Sequence, residues 1–413
     1  MSSLMKRIED CTARVTVVGL GYVGVPLAQR AMEAGYQVVG IDKYISDERC
    51  REIEAAGIRV NKTFDSVGRC DLVFICVPTP LAEGQQPDIS FVSEAAEDIA
   101  RYCGNGEMLV VLESTSYPGT TREVLLPVFE RAGRKLGLGL YLAYSPERVD
   151  PGAGRMPYAE IPRIVGGIDE ESGRMATAFY EKLVSDVTLV STPEAAEMAK
   201  LLENIFRAVN VALVNEMSLL CRRMGIDIWE VVEAAATKPF GFMSFKPGPG
   251  LGGHCIPVDP FYLAWKARQY DFYPEFIELA GKINMNMPFR VAQWVAEALN
   301  GVGKSISGSR VFIVGIAYKE DVGDTRESPA LKVIQLLTRQ GAEVVYHDSY
   351  VERIEVDTKE YASVTLDERT VAEADCIVIV TAHSDIDLEL LKSTEAPVVD
   401  TKNALRRSGL FGR

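Results

Sequence analysis

The chain has 413 residues, with 44 Lys and Arg against 58 Asp and Glu, and a formal net charge of −14. Its 47% hydrophobic and 25% charged residues are typical of a soluble globular protein of two or three domains. The acidic balance argues against a general binder of nucleic acid or anionic membranes, and no apolar run approaches the roughly 20 residues that span a bilayer.

The eight cysteines are scattered along the chain without a Cys-x-x-Cys pair, and there are only three histidines. This usage is typical of reduced thiols rather than of a disulfide framework or a zinc site. At the N-terminus Lys6 and Arg7 are followed by Glu9 and Asp10, so no signal peptide is predicted. The sequence therefore predicts a cytoplasmic protein without a metal.

The first predicted strand, residues 14–18, is a β-branched run that leads into Gly-Leu-Gly-Tyr-Val-Gly at 19–24. Apolar residues at helical spacing follow, and residues 38–41 form a second strand that ends at Asp42. A continuous apolar run at 71–77 predicts a further buried strand. Apolar strands that alternate with helices indicate a parallel sheet covered on both faces.

Residues 19–24 match the pattern Gly-x-Gly-x-x-Gly, placed between a strand and a helix. The first glycine allows a tight turn, the second lets a pyrophosphate approach the backbone, and the third lets the helix pack on the strand. A carboxylate at Asp42 accepts hydrogen bonds from a ribose 2′-hydroxyl and repels a 2′-phosphate. The pattern predicts NAD rather than NADP, although the neighbouring Lys43 works against that preference.

From about Pro193 to Ala236 the strand signal disappears and apolar residues recur at helical spacing. Thr192 is a plausible cap, with Pro193 and Glu194 in the first turn. An unbroken helix to about Met224 would be roughly 45 Å long. We expect it to join two α/β domains and to leave apolar surface for a second copy of the chain. Two shorter helices within one domain are the alternative.

The second half of the chain repeats the pattern of the first, with strands at 310–314, 344–348 and 375–380 and a helix around 331–340. This predicts a second doubly wound α/β domain. The glycine fingerprint is lost there, and Lys319 and Arg326 offer positive charge near the strand end. We expect the second domain to bind a nucleotide differently from the first; a purely structural duplicate is the alternative.

Residues 246–253 are rich in Gly and Pro and form a loop that leads to Cys255, with His254 before it and Asp259 four residues on. A thiolate is a strong nucleophile when nearby cations lower its pKa. NAD takes an alcohol to an aldehyde, and a thiolate traps that aldehyde as a thiohemiacetal. A second hydride transfer gives a thioester, and hydrolysis gives a carboxylate. The combination predicts a four-electron oxidation that uses two NAD+.

With these motifs the sequence closely resembles the UDP-glucose/GDP-mannose dehydrogenase family, the nucleotide-sugar 6-dehydrogenases, over nearly its whole length. Besides residues 19–24, the matching motifs are Cys76-Val77-Pro78-Thr79-Pro80, Glu113-Ser114-Thr115, Ser145-Pro146-Glu147, Lys200 with Asn204, residues 252–259, and Lys319 with Asp324-Thr325-Arg326-Glu327-Ser328. The resemblance implies an NAD-binding Rossmann domain at 1–192, a central helical dimerisation domain with the cysteine loop at 193–300, and a Rossmann-like UDP-sugar domain at 301–413. It also implies a homodimer formed through the central domain.

The resemblance implies a role for each matching residue. Cys255 would be the nucleophile. Lys200 and Asn204 would stabilise oxyanionic intermediates, and their spacing places both on one face of the long helix.

Three further residues are implied in thioester hydrolysis: Asp259 and Thr115 would order the water, and Glu147 would be the general base. The residues implied at the sugar nucleotide are Glu147, Arg148, Lys200, Asn204, Lys246, Gly252 and Lys319. Those implied at NAD are Gly19, Gly21, Tyr22, Val23, Gly24, Asp42, Pro78, Thr79, Thr115 and Arg326.

The cysteine loop is most similar to that of family members that oxidise UDP-N-acetylglucosamine, and residues 145–152 agree. UDP-N-acetylmannosamine enzymes have a similar loop, and UDP-glucose enzymes carry an upstream Arg that residues 237–242 lack. We therefore expect a UDP-N-acetylglucosamine 6-dehydrogenase, with UDP-N-acetylmannosamine or UDP-glucose as alternative substrates. The rival classes are a two-electron 3-hydroxyacid dehydrogenase and a non-catalytic nucleotide-sensing or scaffold protein.

Overall fold

The computed structural model describes residues 2–82, 84, 86–149, 156–253, 256 and 258–405. Its contacts divide the chain into two compact units. The first holds the chain up to Glu203 together with Phe261–Phe272, and the second holds Asn204–Pro260 and the chain from Tyr273 onward.

The first unit is built on one large sheet and its flanking helices. Its strands are β1 (Arg14–Val18), β2 (Gln37–Ile41), β3 (Arg59–Asn61), β4 (Leu72–Ile75), β5 (Leu81–Ala82), β6 (Gln86–Pro87), β7 (Met108–Leu112), β8 (Leu140–Tyr144), β9 (Arg163–Gly167) and β10 (Val187–Val190). Its helices are α1 (Ser3–Glu9), α2 (Gly24–Glu33), α3 (Asp47–Ala55), α4 (Ser90–Tyr102), α5 (Leu126–Arg131) and α6 (Glu170–Tyr180).

Eight of these strands form a sheet in the order β10-β9-β8-β7-β4-β1-β2-β3. Neighbours are parallel except β8 and β9, which pair antiparallel. On β4 the side chains of Leu72 and Phe74 enter one apolar cluster, and those of Val73 and Ile75 enter another. The sheet is therefore covered on both faces, as its continuous apolar strands predict.

The long central helix is α7 (Pro193–Met224), 32 residues without a break, and it excludes the alternative of two shorter helices. The Thr192 hydroxyl accepts a hydrogen bond from the Ala195 amide at 3.2 Å, which confirms the predicted cap. At 1.5 Å per residue the helix is about 48 Å long. The compact units divide within it, between Glu203 and Asn204.

The second unit contains a smaller sheet and further helices. Its helices are α8 (Ile228–Ala236), α9 (Asp259–Arg268, which continues into the first unit), α10 (Glu275–Gly301), α11 (Pro329–Arg339), α12 (Glu368–Ala372) and α13 (Leu388–Lys392). Its strands are β11 (Arg310–Val314), β12 (Glu343–His347), β13 (Arg353–Val356), β14 (Lys359–Ala362), β15 (Cys376–Ile379) and β16 (Val398–Asp400).

Four of these strands form a parallel sheet in the order β12-β11-β15-β16, and β13 and β14 form a hairpin. On β11, Val311 and Ile313 face one apolar cluster while Phe312 and Val314 face the other. The predicted α/β class with two Rossmann-like sheets and central helices is confirmed. Among the described residues, no helix is both long enough and apolar enough to cross a membrane.

Candidate functional site

The turn after β1 has the geometry that the glycine fingerprint predicts. Gly19 has a φ of +92°, and a Cβ there would lie 2.4 Å from the Cys76 carbonyl oxygen. A Cβ on Gly24 would lie 1.8 Å from the Gly19 carbonyl oxygen, so the start of α2 packs directly on the turn. At Gly21 a Cβ would meet no described atom within 4 Å. The turn is thus closed on the protein side and open at Gly21, which fits a pyrophosphate approaching the backbone.

Asp42 follows β2 beside this turn and lines a cavity of about 280 Å³ with Gly19 and Pro78. One of its carboxylate oxygens accepts a hydrogen bond from the Leu20 amide and the other from the Tyr44 amide, each at 3.0 Å. A carboxylate oxygen accepts two hydrogen bonds, so each retains a lone pair for a ribose hydroxyl. The turn, the cavity and this carboxylate together fit NAD.

The loops after β4 and β7 lie at the same edge of the sheet, because these strands are parallel neighbours. The Ser114 hydroxyl lies 2.8 Å from the Val77 carbonyl oxygen and ties the two loops together. Thr79 is buried, Pro78 is exposed and Thr115 is half-buried. The residues of this unit that were predicted to bind NAD therefore lie at this edge. Tyr22, also predicted there, is exposed beside them. Arg326, also predicted there, belongs to the second unit and forms an ion pair with Asp324 at 2.6 Å.

The Lys200 side chain contacts the backbone of Glu147. The Lys200 ammonium donates to the Glu147 carbonyl oxygen at 2.7 Å, and Lys200 is 9% exposed. One carboxylate oxygen of Glu147 accepts from the Arg148 and Val149 amides, both at 2.7 Å, and the other accepts from Arg163 at 2.5 Å. Three donors thus hold the Glu147 carboxylate in one orientation. The Arg148 guanidinium forms an ion pair with a carboxylate on α7.

Arg163, the first residue of β9, is a buried residue that the sequence did not single out. Its guanidinium donates to the Pro146 carbonyl oxygen at 2.9 Å, to Glu147 and to the Tyr158 hydroxyl. It also lies 3.5 Å from Glu113, which accepts from the Tyr180 hydroxyl at 2.5 Å. Burial raises the pKa of Glu113 to about 7, against the attraction of Arg163. The signal available in the sequence is an arginine at the start of an otherwise apolar strand.

In the second unit, the Asn204 amide donates to the carboxylate of Asp259. Asp259 is the first residue of α9 and is 2% exposed. Asn204, predicted to stabilise oxyanionic intermediates, and Asp259, predicted to order the water, are thus in contact although they lie 55 positions apart. His254, Cys255 and Pro257 lie outside the described residues.

The loop that leads to Cys255 packs closely on the second domain. The Gly253 amide donates to the Arg326 carbonyl oxygen at 2.9 Å. A Cβ on Gly252 would lie 2.6 Å from the Cβ of Tyr318, so a larger residue does not fit without displacement. Lys319, predicted at the sugar nucleotide, follows Tyr318 in the chain.

Lys402 is a second residue that the sequence analysis missed, and it lies beside this loop. Its Nζ is 3.6 Å from the position of a Cβ on Gly248. Burial lowers the pKa of Lys402, and the nearby Lys246 ammonium lowers it further, while Glu320 opposes the shift. Lys402 and Lys246, the first residue of the loop, are two basic side chains of this region, which suits a polyanionic ligand. The sequence signal that could have identified Lys402 is a basic residue after the last strand of the domain.

The carboxyl edge of the second sheet differs from that of the first. Asp348 follows β12 as Asp42 follows β2, yet one of its oxygens accepts from the Ile316 and Ala317 amides and from His383. Although burial opposes ionisation, the hydrogen bond from His383 and those from backbone amides lower the pKa of Asp348 to about 2. One oxygen of this carboxylate is filled by internal donors and the side chain is fully buried, so the second domain does not repeat the ribose contact of the first.

Family models match three consecutive segments of the chain. The NAD binding domain of the UDP-glucose/GDP-mannose dehydrogenase family matches residues 47–184, its central domain 194–286, and its UDP binding domain 312–407. The chain belongs to this family. It is an NAD-dependent nucleotide-sugar dehydrogenase, in which the N-terminal domain binds NAD and the C-terminal domain binds the UDP-sugar.

Similar proteins match nine-tenths or more of the chain. A UDP-N-acetyl-D-mannosamine dehydrogenase of Methanocaldococcus jannaschii is 35% identical, with 95% of this chain and 93% of the relative covered. A UDP-N-acetyl-D-glucosamine 6-dehydrogenase of Salmonella typhi is 32% identical, with 90% of each covered. The solved structure of a UDP-D-ManNAc dehydrogenase from Pyrococcus horikoshii has a TM-score of 0.84 at 33% identity, covering 94% of this chain and 95% of that one.

Proposed function

We propose that this chain oxidises the C6 alcohol of a UDP-N-acetylhexosamine to a carboxylate, with Cys255 as the covalent nucleophile. The observation that carries the proposal is the hydrogen bond between Asn204 and Asp259. It ties the long helix to the residue four positions after Cys255. One helical turn earlier, Lys200 is buried and held by a backbone carbonyl.

Each residue of this group has a chemical task in the proposed reaction. The Cys255 thiolate adds to the C6 aldehyde, and the ammonium of Lys200 and the amide of Asn204 stabilise the resulting oxyanion. NAD+ supplies the chemistry of a hydride acceptor in each of the two oxidations.

Hydrolysis of the thioester needs an ordered water and a base. Three donors occupy three of the roughly four lone-pair positions of the Glu147 carboxylate, which leaves one for a water molecule. Asp259 and Thr115 are proposed to order that water. The overall change, R–CH2OH + H2O + 2 NAD+ to R–COO− + 2 NADH + 3 H+, balances in atoms, charge and electrons.

For the sugar we infer UDP-N-acetylmannosamine first and UDP-N-acetylglucosamine second. Relatives named for the mannosamine sugar reach 35% identity and those named for the glucosamine sugar 32%. The cysteine loop favours the glucosamine sugar, so the expectation from the sequence remains a prediction. Both sugars carry an N-acetyl group, which UDP-glucose lacks.

A panel of UDP-sugars tests the proposal. The purified chain with NAD+ is expected to form NADH at least about tenfold faster with one UDP-N-acetylhexosamine than with UDP-glucose, because a site built around a substrate amide rejects an analogue that lacks it. Highest activity with UDP-glucose would contradict the N-acetyl assignment. Absence of NADH with every UDP-sugar would contradict the proposed reaction.

We also infer a homodimer through the central helices. On α7 an apolar stripe faces outward in the described part of the chain: Leu202 is 63% exposed, Leu213 55% and Met224 62%. Met198, Phe206, Met217 and Leu220 extend the same stripe. Exposed apolar stripes of this length are typical of a helix that packs on a partner.

A further inference from the structure

Lys43 follows Asp42 directly, and its side chain is held by another residue that lines the NAD cavity. Its ammonium forms an ion pair with Asp98, on α4. It lies 5.3 Å from the centre of the Phe64 ring, in the range of a cation–π contact. The Lys43 side chain is 38% exposed and that of Asp98 13%. The cation that works against the NAD preference in the sequence is therefore paired.

The charges on the cavity wall favour a neutral ribose over a phosphate. Asp42, Glu94 and Asp98 all line the cavity, against Lys43. The hydrogen bond from Lys43 to Asp98 raises the pKa of Lys43, so the ammonium stays charged within the pair. Asp98 also has Arg101 at 3.7 Å on its other oxygen, but that guanidinium is 69% exposed. Three carboxylates thus face the site beside one paired ammonium.

We propose that Asp98 sets coenzyme selectivity as a positioning residue: it holds the Lys43 ammonium and so withholds that cation from a coenzyme 2′-phosphate. A lysine ammonium sits on a flexible four-carbon stem and acts as a point charge for phosphate. Without Asp98, Lys43 can turn toward the ribose that Asp42 binds. Selectivity for NAD over NADP then depends on two carboxylates, of which only Asp42 contacts the coenzyme.

Coenzyme titration tests this without any sugar, so the test does not depend on the proposed substrate. The dissociation constants of NAD+ and NADP+ are measured by calorimetry for four variants: Asp42→Ser, Asp42→Ser with Asp98→Asn, Asp42→Ser with Lys43→Ala, and the triple variant. Asp42→Ser removes the direct repulsion of the phosphate in all four. The readout is the ratio of the two constants, which a partly unfolded sample does not change.

Adding Asp98→Asn is expected to raise the preference for NADP+ about tenfold, the size of one partly exposed charge interaction. Adding Lys43→Ala to Asp42→Ser should change the ratio less than about twofold, because the paired lysine is withheld. In the triple variant the tenfold gain should disappear. As a matched control, Glu33→Gln in the Asp42→Ser background breaks the surface pair with Arg30 and should leave the ratio unchanged.

An unchanged ratio on adding Asp98→Asn would overturn the proposal. So would a gain that survives in the triple variant, since the gain would then come from removing the charge of Asp98 and not from releasing Lys43.

Discussion

Arg163 has 1% of its surface exposed and faces the carboxylates of Glu113 and Glu147. Removing one partner of such a buried group leaves uncompensated charge and costs about 3–5 kcal/mol. The guanidinium also binds the Pro146 carbonyl oxygen. It therefore fixes the segment whose next carbonyl oxygen accepts the hydrogen bond from Lys200.

Glu113 makes the stability of this cluster depend on pH. Its pKa is about 7 in the folded chain, because of burial, and about 4.5 when unfolded. The folded state therefore binds more protons between these values, and its stability falls as pH rises from about 4.5 to about 7. Glu113→Gln removes this term, so the melting temperature of the variant relative to the parent should rise from pH 5 to about pH 7 and level off above it.

Glu123→Gln is the control for that series, since its carboxylate pairs with Lys266 at 2.7 Å and is 48% exposed. Its difference from the parent should stay flat over the same range. A flat difference for Glu113→Gln as well would show that Glu113 is ionised throughout, and the interpretation would be wrong.

Individual residues were predicted where a motif placed them and missed where only folding did. Lys200 and Asn204 were named from the family resemblance, and both make buried or short-range polar contacts. Arg163 and Lys402 resemble ordinary surface charges in the sequence. Their burial depends on long-range packing, which local patterns do not contain.

Two glycines of the first turn have different roles: Gly24 allows close packing, and Gly21 leaves room for the ligand. Gly24→Ala places a methyl group 1.8 Å from the Gly19 carbonyl oxygen, so the helix must move and we expect a loss of about 2 kcal/mol or more. Gly21→Ala meets no described atom within 4 Å. It should leave the melting temperature within about 2 °C of the parent and weaken NAD+ binding at least about tenfold. Thermal melts and NAD+ titration compare the two.

Equal melting temperatures for both glycine variants would contradict the assigned packing role of Gly24. Unchanged NAD+ affinity in Gly21→Ala would contradict the approach of the pyrophosphate at that residue.

The exposed stripe of α7 makes a prediction about assembly. Leu202→Glu with Leu213→Glu places two charges on it and should convert a dimer to a monomer in sedimentation velocity, because burying unpaired carboxylates is costly. Arg207→Gln, an exposed change on the same helix, should leave the dimer intact. A parent chain that sediments as a monomer at micromolar concentration would contradict the inferred homodimer.

The periodicity of the sequence predicted the positions of the helices and strands more accurately than it predicted how the strands pair. The strands at 14–18 and 310–314 coincide with β1 and β11, and the helix predicted to follow Thr192 and to run to about Met224 is α7. The antiparallel pairing of β8 with β9 was not predicted, because direction depends on the connection and not on the apolar pattern. The β13–β14 hairpin was not predicted, because its strands are short and largely polar.

The two α/β domains share one aspartate contact with the backbone and differ in the surroundings of a second aspartate. Asp71 and Asp375 precede equivalent strands, and each accepts from the backbone of the adjacent first strand, Arg14 at 2.8 Å and Arg310 at 2.7 Å. Asp42 and Asp348 also correspond, but Asp348 is fully buried and one of its oxygens is filled by internal donors. The two domains therefore share a scaffold, but the second does not offer the ribose contact of the first. This difference agrees with their different nucleotide ligands.

The nucleophile assignment predicts a specific loss. Cys255→Ser is expected to abolish uronic acid formation while UDP-sugar binding, measured by calorimetry, stays within about threefold of the parent, since the second domain supplies the nucleotide contacts. Cys50→Ser, at a half-buried thiol on α3, should retain full activity. Full acid formation by Cys255→Ser would refute covalent catalysis at that sulfur.

The number of NADH molecules formed per sugar consumed tests the four-electron oxidation most directly. With limiting UDP-N-acetylmannosamine, or UDP-N-acetylglucosamine if that is the substrate, and excess NAD+, the parent chain should form two NADH and one uronic acid for each sugar. One NADH per sugar, with an aldehyde as the product, would contradict the account.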